Sequence, residues 1–325
     1  YLVDENPIPV SIITGFLGSG KTTLLSRILD SDAFSNTAVI VNELGEMGLD
    51  HLLLEVADEQ LALLSNGCLC CQLRNDLVDT MRTLLDRATR SEIPEFERLV
   101  IETTGIADPV PIIRTLMTDP LRFSRFRLAG LTTVIDGVLG AQALDNFSVS
   151  VKQAGLADCL IVSKMDLAED YRSLQKRIRN INSKAPILCS SNGVIDSTLL
   201  PGFGEEKSVH SAKTMDLDRK PAHGDGIFEV SRAFEGRIEY SAFESWVSQL
   251  HDRYRGNLLR MKGIIHFEGQ ELPSVVQAVQ HIRYPLENLP FQRDAKTSRL
   301  VLIGQEMSRH ELISALEELA QLANR

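Results

Sequence analysis

The chain of 325 residues is 43% hydrophobic, enough apolar material for two cores, and its formal net charge of −10 argues against broad attraction to nucleic acid or an anionic membrane. Of its five cysteines, three are packed into Cys68-Leu69-Cys70-Cys71, unlike the evenly spaced set of a secreted disulfide scaffold, and no apolar run approaches the roughly 18 residues that cross a bilayer. A soluble, reduced, cytoplasmic protein with no leader is expected, its native start trimmed ahead of Tyr1.

From Ile8 to about Ser190, short β-branched runs alternate with helical stretches, the pattern of βαβ units on a mostly parallel sheet. The first expected strand, Pro9–Thr14, runs into Gly15-Phe16-Leu17-Gly18-Ser19-Gly20-Lys21-Thr22-Thr23, a G-x-x-x-x-G-K-[ST] phosphate loop between a strand and an amphipathic helix. Gly15, Gly18 and Gly20 let the backbone wrap so closely that successive N–H groups, that of Ser19 among them, point at phosphate oxygens. Lys21 supplies a point charge to the β and γ oxygens, and the Thr22 hydroxyl suits Mg²⁺.

A second strand, Ala38–Asn42, leads to Glu43-Leu44-Gly45-Glu46, where a nucleotide-sensing loop is expected. Three thiols within four residues then suit a soft or borderline ion such as Zn²⁺ or Cu(I), zinc by default, with cobalt or iron compatible with mixed thiolate and carboxylate donors. Adjacent cysteines do not readily all face one way, so two thiolates from Cys68, Cys70 and Cys71 plus an outside ligand is the favoured set, Glu43 leading the candidates. A redox pair and buried inert thiols are the alternatives. The next segment, Asp76–Arg90, places Leu77, Met81, Leu84, Leu85 and Ala88 at helical spacing.

The third expected strand, Leu99–Glu102, ends in a carboxylate followed by Thr103-Thr104-Gly105. In P-loop enzymes an acid there reaches the Mg²⁺ shell and the glycine amide senses the γ-phosphate; a solvent-facing strand cap is the bland reading. A fourth, Leu131–Asp136, closes on Asp136; it and Asp108 follow strands or turns near the nucleotide face, yet a turn cap explains either one equally well. The fifth, Cys159–Ser163, delivers Lys164-Met165-Asp166 onto a loop. Asp166 can accept from the ring N–H and exocyclic amino group of guanine, a pair of donors adenine lacks, while the Lys164 stem lies along the purine face. GTP is therefore favoured. G proteins usually carry Asn where Ser163 stands, so a looser loop with some tolerance of ATP is expected. Cys159 and Cys189, inside apolar strands, read as core residues.

The sixth strand, Ile187–Ser190, precedes a change in composition to Gly, Pro, Ser, Lys and Asp, so residues 1–200 form one expected domain, 201–225 a linker and 226–325 a second domain. There a strand (Gly226–Arg232), a helix, strands near Leu258–Phe267, Ser274–Arg283 and Arg299–Ile303, and a final helix suggest a compact α+β domain. Capping boxes are expected at Ser241 with Glu244 and at Ser308 with Glu311. His266 and His281 read as ordinary sheet histidines.

Taken together, the phosphate loop Gly15–Thr23, Asn42-Glu43-Leu44-Gly45-Glu46, Gly67-Cys68-Leu69-Cys70-Cys71, Glu102-Thr103-Thr104-Gly105 and Ser163-Lys164-Met165-Asp166 resemble the CobW family of P-loop GTPases in order and spacing. Downstream, Leu259–Phe267 and Val276–Val279 are similar to that family's C-terminal domain. The resemblance implies a low intrinsic GTPase activity, metal bound at the C-x-C-C motif, and a metallochaperone or metalloenzyme activator that serves a client metalloprotein. It also implies that Gly18, Gly20, Lys21, Thr22 and Thr23 hold phosphates and Mg²⁺, Lys164 and Asp166 the guanine, and Glu43, Cys68, Cys70 and Cys71 the transition metal. Many relatives carry a histidine-rich interdomain tract, of which only His210 and His223 are left here.

Two other classes of function compete with this reading. One is a GTP-dependent regulatory module whose cysteines sense zinc or redox state without delivering metal. The other is a small-molecule kinase, which would need an Arg-rich lid that only Arg122, Arg125 and Arg127 offer. The sequence leaves homo-oligomerisation open.

Overall fold

The computed structural model describes residues 7–29, 36–43, 61–65, 72–118, 125–202, 227–283, 286–288 and 297–323. Its internal contacts divide the chain into two compact units, Tyr1–Arg179 with Lys184–Lys213, and Asn180–Ser183 with Thr214–Arg325.

The first unit is built on a seven-stranded sheet of β1 (Ile8–Thr14), β2 (Thr37–Glu43), β3 (Leu61–Ser65), β4 (Arg98–Glu102), β5 (Phe126–Asp136), β6 (Cys159–Ser163) and β7 (Ile187–Cys189), in the order β3-β2-β4-β1-β5-β6-β7. Every pairing in it is parallel. Successive side chains alternate between faces. Ile13, Val39, Val41, Val100, Val134 and Ile161 share one cluster with Leu24, Leu25 and Ile28 of α1 (Lys21–Leu29). Ile12, Ile40, Leu99 and Ile101 are equally buried, so both faces are covered and the strands read as near-continuous apolar runs. The remaining helices of this unit are α2 (Gln72–Thr89), α3 (Val110–Thr118), α4 (Gly140–Asn146), α5 (Ser148–Leu156) and α6 (Tyr171–Ile181).

Five of the six strands anticipated here match to within a residue or two, and β5 starts five residues earlier than its apolar run suggested. The edge strand β3 was not anticipated, because Leu61-Ala-Leu-Leu-Ser65 lacks β-branched residues and is short; it is set by its register against β2, from Val39↔Leu61 to Glu43↔Ser65. Helix α2 begins four residues ahead of the apolar periodicity, and Leu77, Met81 and Leu84 of the expected stripe are buried together with Val78. Pro201, expected to open the linker, is still held on the first unit, its carbonyl accepting from the Ser11 hydroxyl at 2.5 Å; the rest of that segment, from residue 203 to 226, lies outside the described residues.

The second unit is an antiparallel sheet of β8 (Ile227–Glu235), β9 (Leu258–Ile265), β10 (Ser274–Val279), β11 (Ile282–Arg283) and β13 (Thr297–Gln305), ordered β11-β10-β9-β13-β8, with β12 (Glu287–Asn288) also paired to β10. Helices α7 (Tyr240–Arg253) and α8 (Arg309–Leu322) cover it through Phe243, Trp246, Val247 and Leu250, and Leu312, Ala315, Leu316 and Leu319. Trp246 Nε1 donates to the Ala315 carbonyl at 3.1 Å, which satisfies the one polar atom of that buried ring. The single strand expected over Ser274–Arg283 is instead a hairpin with Val279 opposite Ile282, turned at Gln280, whose φ is +50°. Among the described residues, no helix is long and apolar enough to cross a membrane.

The two expected capping boxes fare differently. Ser308 caps α8 and accepts from the Glu311 amide while the Glu311 carboxylate reaches back to the Ser308 amide. At α7 the cap is Glu239, which accepts from the amides of Ser241 and Ala242, so the Ser241–Glu244 box does not form. A carboxylate at that position satisfies the orphan amides and complements the helix dipole as well as a hydroxyl does. Ser308→Ala is therefore expected to destabilise the second unit by about 1 kcal/mol and Ser241→Ala by less than about 0.5 kcal/mol. Urea unfolding followed through the fluorescence of Trp246, the sole tryptophan of the chain, measures both.

Candidate functional site

Because the first sheet is parallel, the carboxyl ends of its strands share one edge, and strand order reverses between β1 and its neighbours β4 and β5, the position where open α/β sheets bind ligands. Register sets Ile13 beside Glu102, Thr14 beside Thr133 and Asp136 beside Ser163, so the segments following β1, β4, β5 and β6 emerge together.

Between β1 and α1 the chain forms a tight loop. An added Cβ on Gly15 would lie 2.2 Å from the Val134 carbonyl oxygen, so only glycine lets β1 turn that closely over β5. Gly18 and Gly20 follow with φ of +72° and +87°. Ser19 closes the turn, its amide donating to the Phe16 carbonyl at 3.1 Å, while its hydroxyl is buried with no hydrogen-bond partner among the described residues. Lys21, the first residue of α1, folds its ammonium back to the Gly15 and Phe16 carbonyls at 2.9 and 3.3 Å. Burial lowers the Lys21 pKa, and the nearby Glu102 carboxylate partly offsets that. Thr23, one residue beyond Thr22, is exposed.

The Thr22 hydroxyl donates to Glu102 Oε1 at 2.8 Å, joining the start of α1 to the end of β4 across 80 residues of chain. Glu102 is 4% exposed, so the solvent-cap reading does not hold. Beyond it, the Thr103 amide donates to the Ile13 carbonyl at 2.9 Å and its hydroxyl to Thr14 Oγ1 at 2.8 Å. Gly105 then passes so close to the phosphate loop that a Cβ there would sit 2.6 Å from the Leu17 amide nitrogen. A hydroxyl and a carboxylate in contact, beside a buried ammonium and under a loop that side chains would fill, are the donor set of a hard cation that carries phosphate oxygens. The residues fit Mg²⁺ with a nucleotide.

The loop after β6 leans on this cradle. Lys164 Nζ donates to the Gly18 carbonyl at 2.8 Å and to Asp136 Oδ2 at 2.6 Å. Asp136 Oδ1 in turn accepts from the amides of Val138 and Leu139 at 2.8 and 3.0 Å. Burial pushes the Asp136 pKa up, but the Lys164 hydrogen bond and those two amides outweigh it and the carboxyl ends below its ordinary value. Ser163 is not loosely held, as its hydroxyl donates to the Ser19 carbonyl at 2.6 Å and approaches the Ile135 carbonyl at 3.3 Å. Asp166 is exposed at the tip, with Oδ1 accepting from the Asn192 amide at 3.1 Å.

Of the transition-metal candidates, Cys68, Cys70 and Cys71 lie outside the described residues, and Glu43 is the last residue of β2, opposite Ser65. Among the described residues no group of three or more His, Cys, Asp and Glu is placed to hold a metal ion. His266 is buried with a lowered pKa, through burial and then the charge of Arg237, and its Nε2 has no hydrogen-bond partner among the described residues. Asp108 is a turn cap, accepting from the Val110 amide at 3.0 Å and pairing with Lys152 at 2.6 Å. Two of the three arginines offered for a kinase lid lie away from the phosphate loop. The Arg125 carbonyl accepts from the Ile8 amide and Arg127 pairs with Pro9, at the opposite end of β1 from the phosphate loop, roughly 20 Å away at about 3.3 Å per residue. Arg122 is outside the described residues.

Two contacts were not foreseen. Gln153, fully buried on α5, donates through Nε2 to the Gly105 and Ala107 carbonyls at 3.4 and 3.0 Å, and so holds the segment after Glu102 from behind. Asp136, near the nucleotide face but equally well explained as a turn cap, does cap the turn, with one oxygen only, the other being spent on Lys164. Gln153 shares its buried helix face with Ser150 as well as Ala154, so no break in an apolar stripe marks it in the sequence.

Comparison with known proteins adds the family. Residues 9–189 match the model described as CobW/HypB/UreG, nucleotide-binding domain, and residues 228–320 match the Cobalamin synthesis protein cobW C-terminal domain. The "Zinc chaperone YjiA" of Escherichia coli K12 is 34% identical over 329 residues, covering 97% of this chain and 99% of that one. The "Zinc-regulated GTPase metalloprotein activator 1" of Schizosaccharomyces pombe is 37% identical over 228 residues, 64% of this chain and 53% of its own length. The crystal structure of Zn(II)-bound YjiA GTPase from E. coli superposes with a TM-score of 0.71 at 27% identity, covering 97% and 99% of the two chains.

The two described cysteines are opposites. Cys159 is buried in β6, and burial, then the charge of Asp158, raise its pKa to about 12; Cys189, expected in the core, is exposed at the end of the edge strand β7. At pH 8 only about one Cys159 in ten thousand is thiolate, the reactive form. Iodoacetamide on the native protein at pH 8 is expected to modify Cys189 and to spare Cys159 until the protein is unfolded, as peptide mapping would record. Equal labelling of the two in the native state would contradict the burial.

Proposed function

The chain belongs to the CobW/HypB/UreG family of P-loop proteins, and on that premise we propose that it is a GTP-hydrolysing metallochaperone that binds a transition metal, zinc by default, at Cys68, Cys70 and Cys71 with Glu43, and passes it to a client metalloprotein. The observation that carries the nucleotide half is the 2.8 Å hydrogen bond from Thr22 to Glu102 beside the buried Lys21 ammonium. The metal half draws on the thiol-dense sequence and on the zinc named for the relatives.

In this reading the amides of Gly15–Gly20 cradle the β- and γ-phosphates, with Lys21 neutralising their charge. Thr22 and Glu102 would hold Mg²⁺, which supplies charge neutralisation at the transferring phosphoryl group. Gly105 senses that group through its amide, and Lys164 and Asp166 recognise the guanine. Water attacks the γ-phosphorus, the bond to the β,γ-bridging oxygen breaks, and GDP and phosphate leave. With no dedicated general base among these residues, positioning and electrostatics carry the rate, and a low intrinsic turnover follows. Glu43 ends β2, whose Val41 pairs with Glu102, so the strand that leads to the metal candidates runs beside the strand that carries the Mg²⁺ acid. That adjacency is a route by which nucleotide state alters the thiolate site.

Calorimetry with GTP and Mg²⁺ tests the cradle directly. Lys21→Ala is expected to weaken GTP by about 1.5–3 kcal/mol, roughly 10- to 150-fold, as befits a charge-assisted contact. Replacing Asp166 by Asn should cost GTP about one to two orders of magnitude and improve binding of xanthosine triphosphate, whose 2-carbonyl can accept from the new amide. For the metal half, Zn²⁺ is expected to change GTP turnover, and Cys70→Ala with Cys71→Ala to abolish that response. An unaltered zinc response in the double variant would instead favour a regulatory module with no metal delivery.

A further inference from the structure

We propose that Asp136 is the positioning residue for nucleotide recognition, holding the Lys164 side chain in place before the nucleotide arrives so that the purine platform and the phosphate loop act as one rigid unit. This rests on the reading of Lys164 as the purine-facing lysine and extends it to a residue on a different strand.

The geometry is specific. Lys164 sits on an exposed loop with φ +52°, a left-handed conformation that costs a non-glycine residue free energy and persists only where its surroundings over-determine it. The Leu167 amide, donating to the Lys164 carbonyl at 2.9 Å, holds that backbone, and the 2.6 Å ion pair to Asp136 Oδ2 with the 2.8 Å hydrogen bond to the Gly18 carbonyl fixes the side chain. The Asp136 side chain is 7% exposed, so its carboxylate depends on Lys164 for charge compensation, and the amides of Val138 and Leu139 lock its orientation through the other oxygen. The same strand end is tied again, with the Gly137 amide donating to the Ser163 carbonyl at 2.9 Å and the Ser163 hydroxyl reaching the Ser19 carbonyl at 2.6 Å. A lysine stem is among the most costly side chains to order, so fixing it in advance removes that cost from binding. Because the stem meets the face of a purine and not its edge, the benefit applies to any purine nucleotide and not to a phosphate chain alone.

Asp136→Asn separates this role from turn capping, since the amide oxygen can still accept from Val138 and Leu139 while the charge that holds Lys164 is gone. With the full chain and Mg²⁺, calorimetry is expected to show GTP and inosine triphosphate weakened by the same factor, about tenfold or about 1.4 kcal/mol, and inorganic tripolyphosphate unchanged within about twofold. In a Lys164→Met background the Asn substitution should add no further loss, and Lys164→Met alone should reproduce the loss of GTP affinity should Asp136→Asn fold poorly. GTP affinity unchanged in Asp136→Asn, tripolyphosphate weakened as much as GTP, or losses that simply add in the double variant would each overturn the proposal while leaving the GTPase reading intact. Failure of the wild-type protein to bind GTP at all would instead remove that reading, and this role with it.

Discussion

A parallel sheet delivers every strand's carboxyl end to one edge, and in this protein the register between β1, β4, β5 and β6 brings a glycine loop, a glutamate, an aspartate and a lysine loop to that edge together. The contact that draws on all of this is the hydrogen bond from Thr22 to Glu102. It requires α1 to start where β1 stops, which in turn requires the Gly15 backbone to pass against Val134 without a Cβ. A one-residue change in register between β1 and β4 would move Glu102 to the other face of the sheet, away from Lys21 and Thr22.

Charge is arranged around that contact in an order set by burial. Lys21 is buried with its ammonium on backbone carbonyls, already stripped of most of its hydration. Lys164 lies further out and needs a carboxylate to hold it, and Asp136 serves that need from within the sheet edge. The two lysines are therefore not equivalent, one being positioned by the loop it belongs to and the other by a neighbouring strand. Gln153 adds a third support by gripping the carbonyls of Gly105 and Ala107, the stretch that lies against Leu17.

The second unit follows a different logic. Helices α7 and α8 cover its antiparallel sheet through a continuous apolar cluster around Trp246, while Leu259, Val275, Val279 and Ile303 are buried outside that cluster. Both helix starts are closed by acceptors for orphan amides, but a glutamate serves at one and a serine box at the other, two solutions of equal physical merit that a motif search ranks unequally.

How much of this was legible from the residues alone depends on the range of the interaction involved. The phosphate loop, the acid at Glu102, the Lys164–Asp166 loop and five of seven strands of the first sheet besides β3 and the extended β5 are local patterns, in which the signal lies in the order of neighbours along the chain. The parallel α/β core with a smaller α+β unit followed from the same alternation. What required the tertiary structure were pairings between residues distant in sequence: Asp136 with Lys164, 28 residues apart, Ser163 with Ser19, 144 apart, and Gln153 with Ala107, 46 apart. Cys189 looked like a core residue because its strand is apolar, yet only the sheet order reveals β7 as an edge strand that leaves it exposed. A side chain's type advertises which bonds it can make, whereas which partner is within reach is decided by the register and order of strands, which no local run of residues encodes.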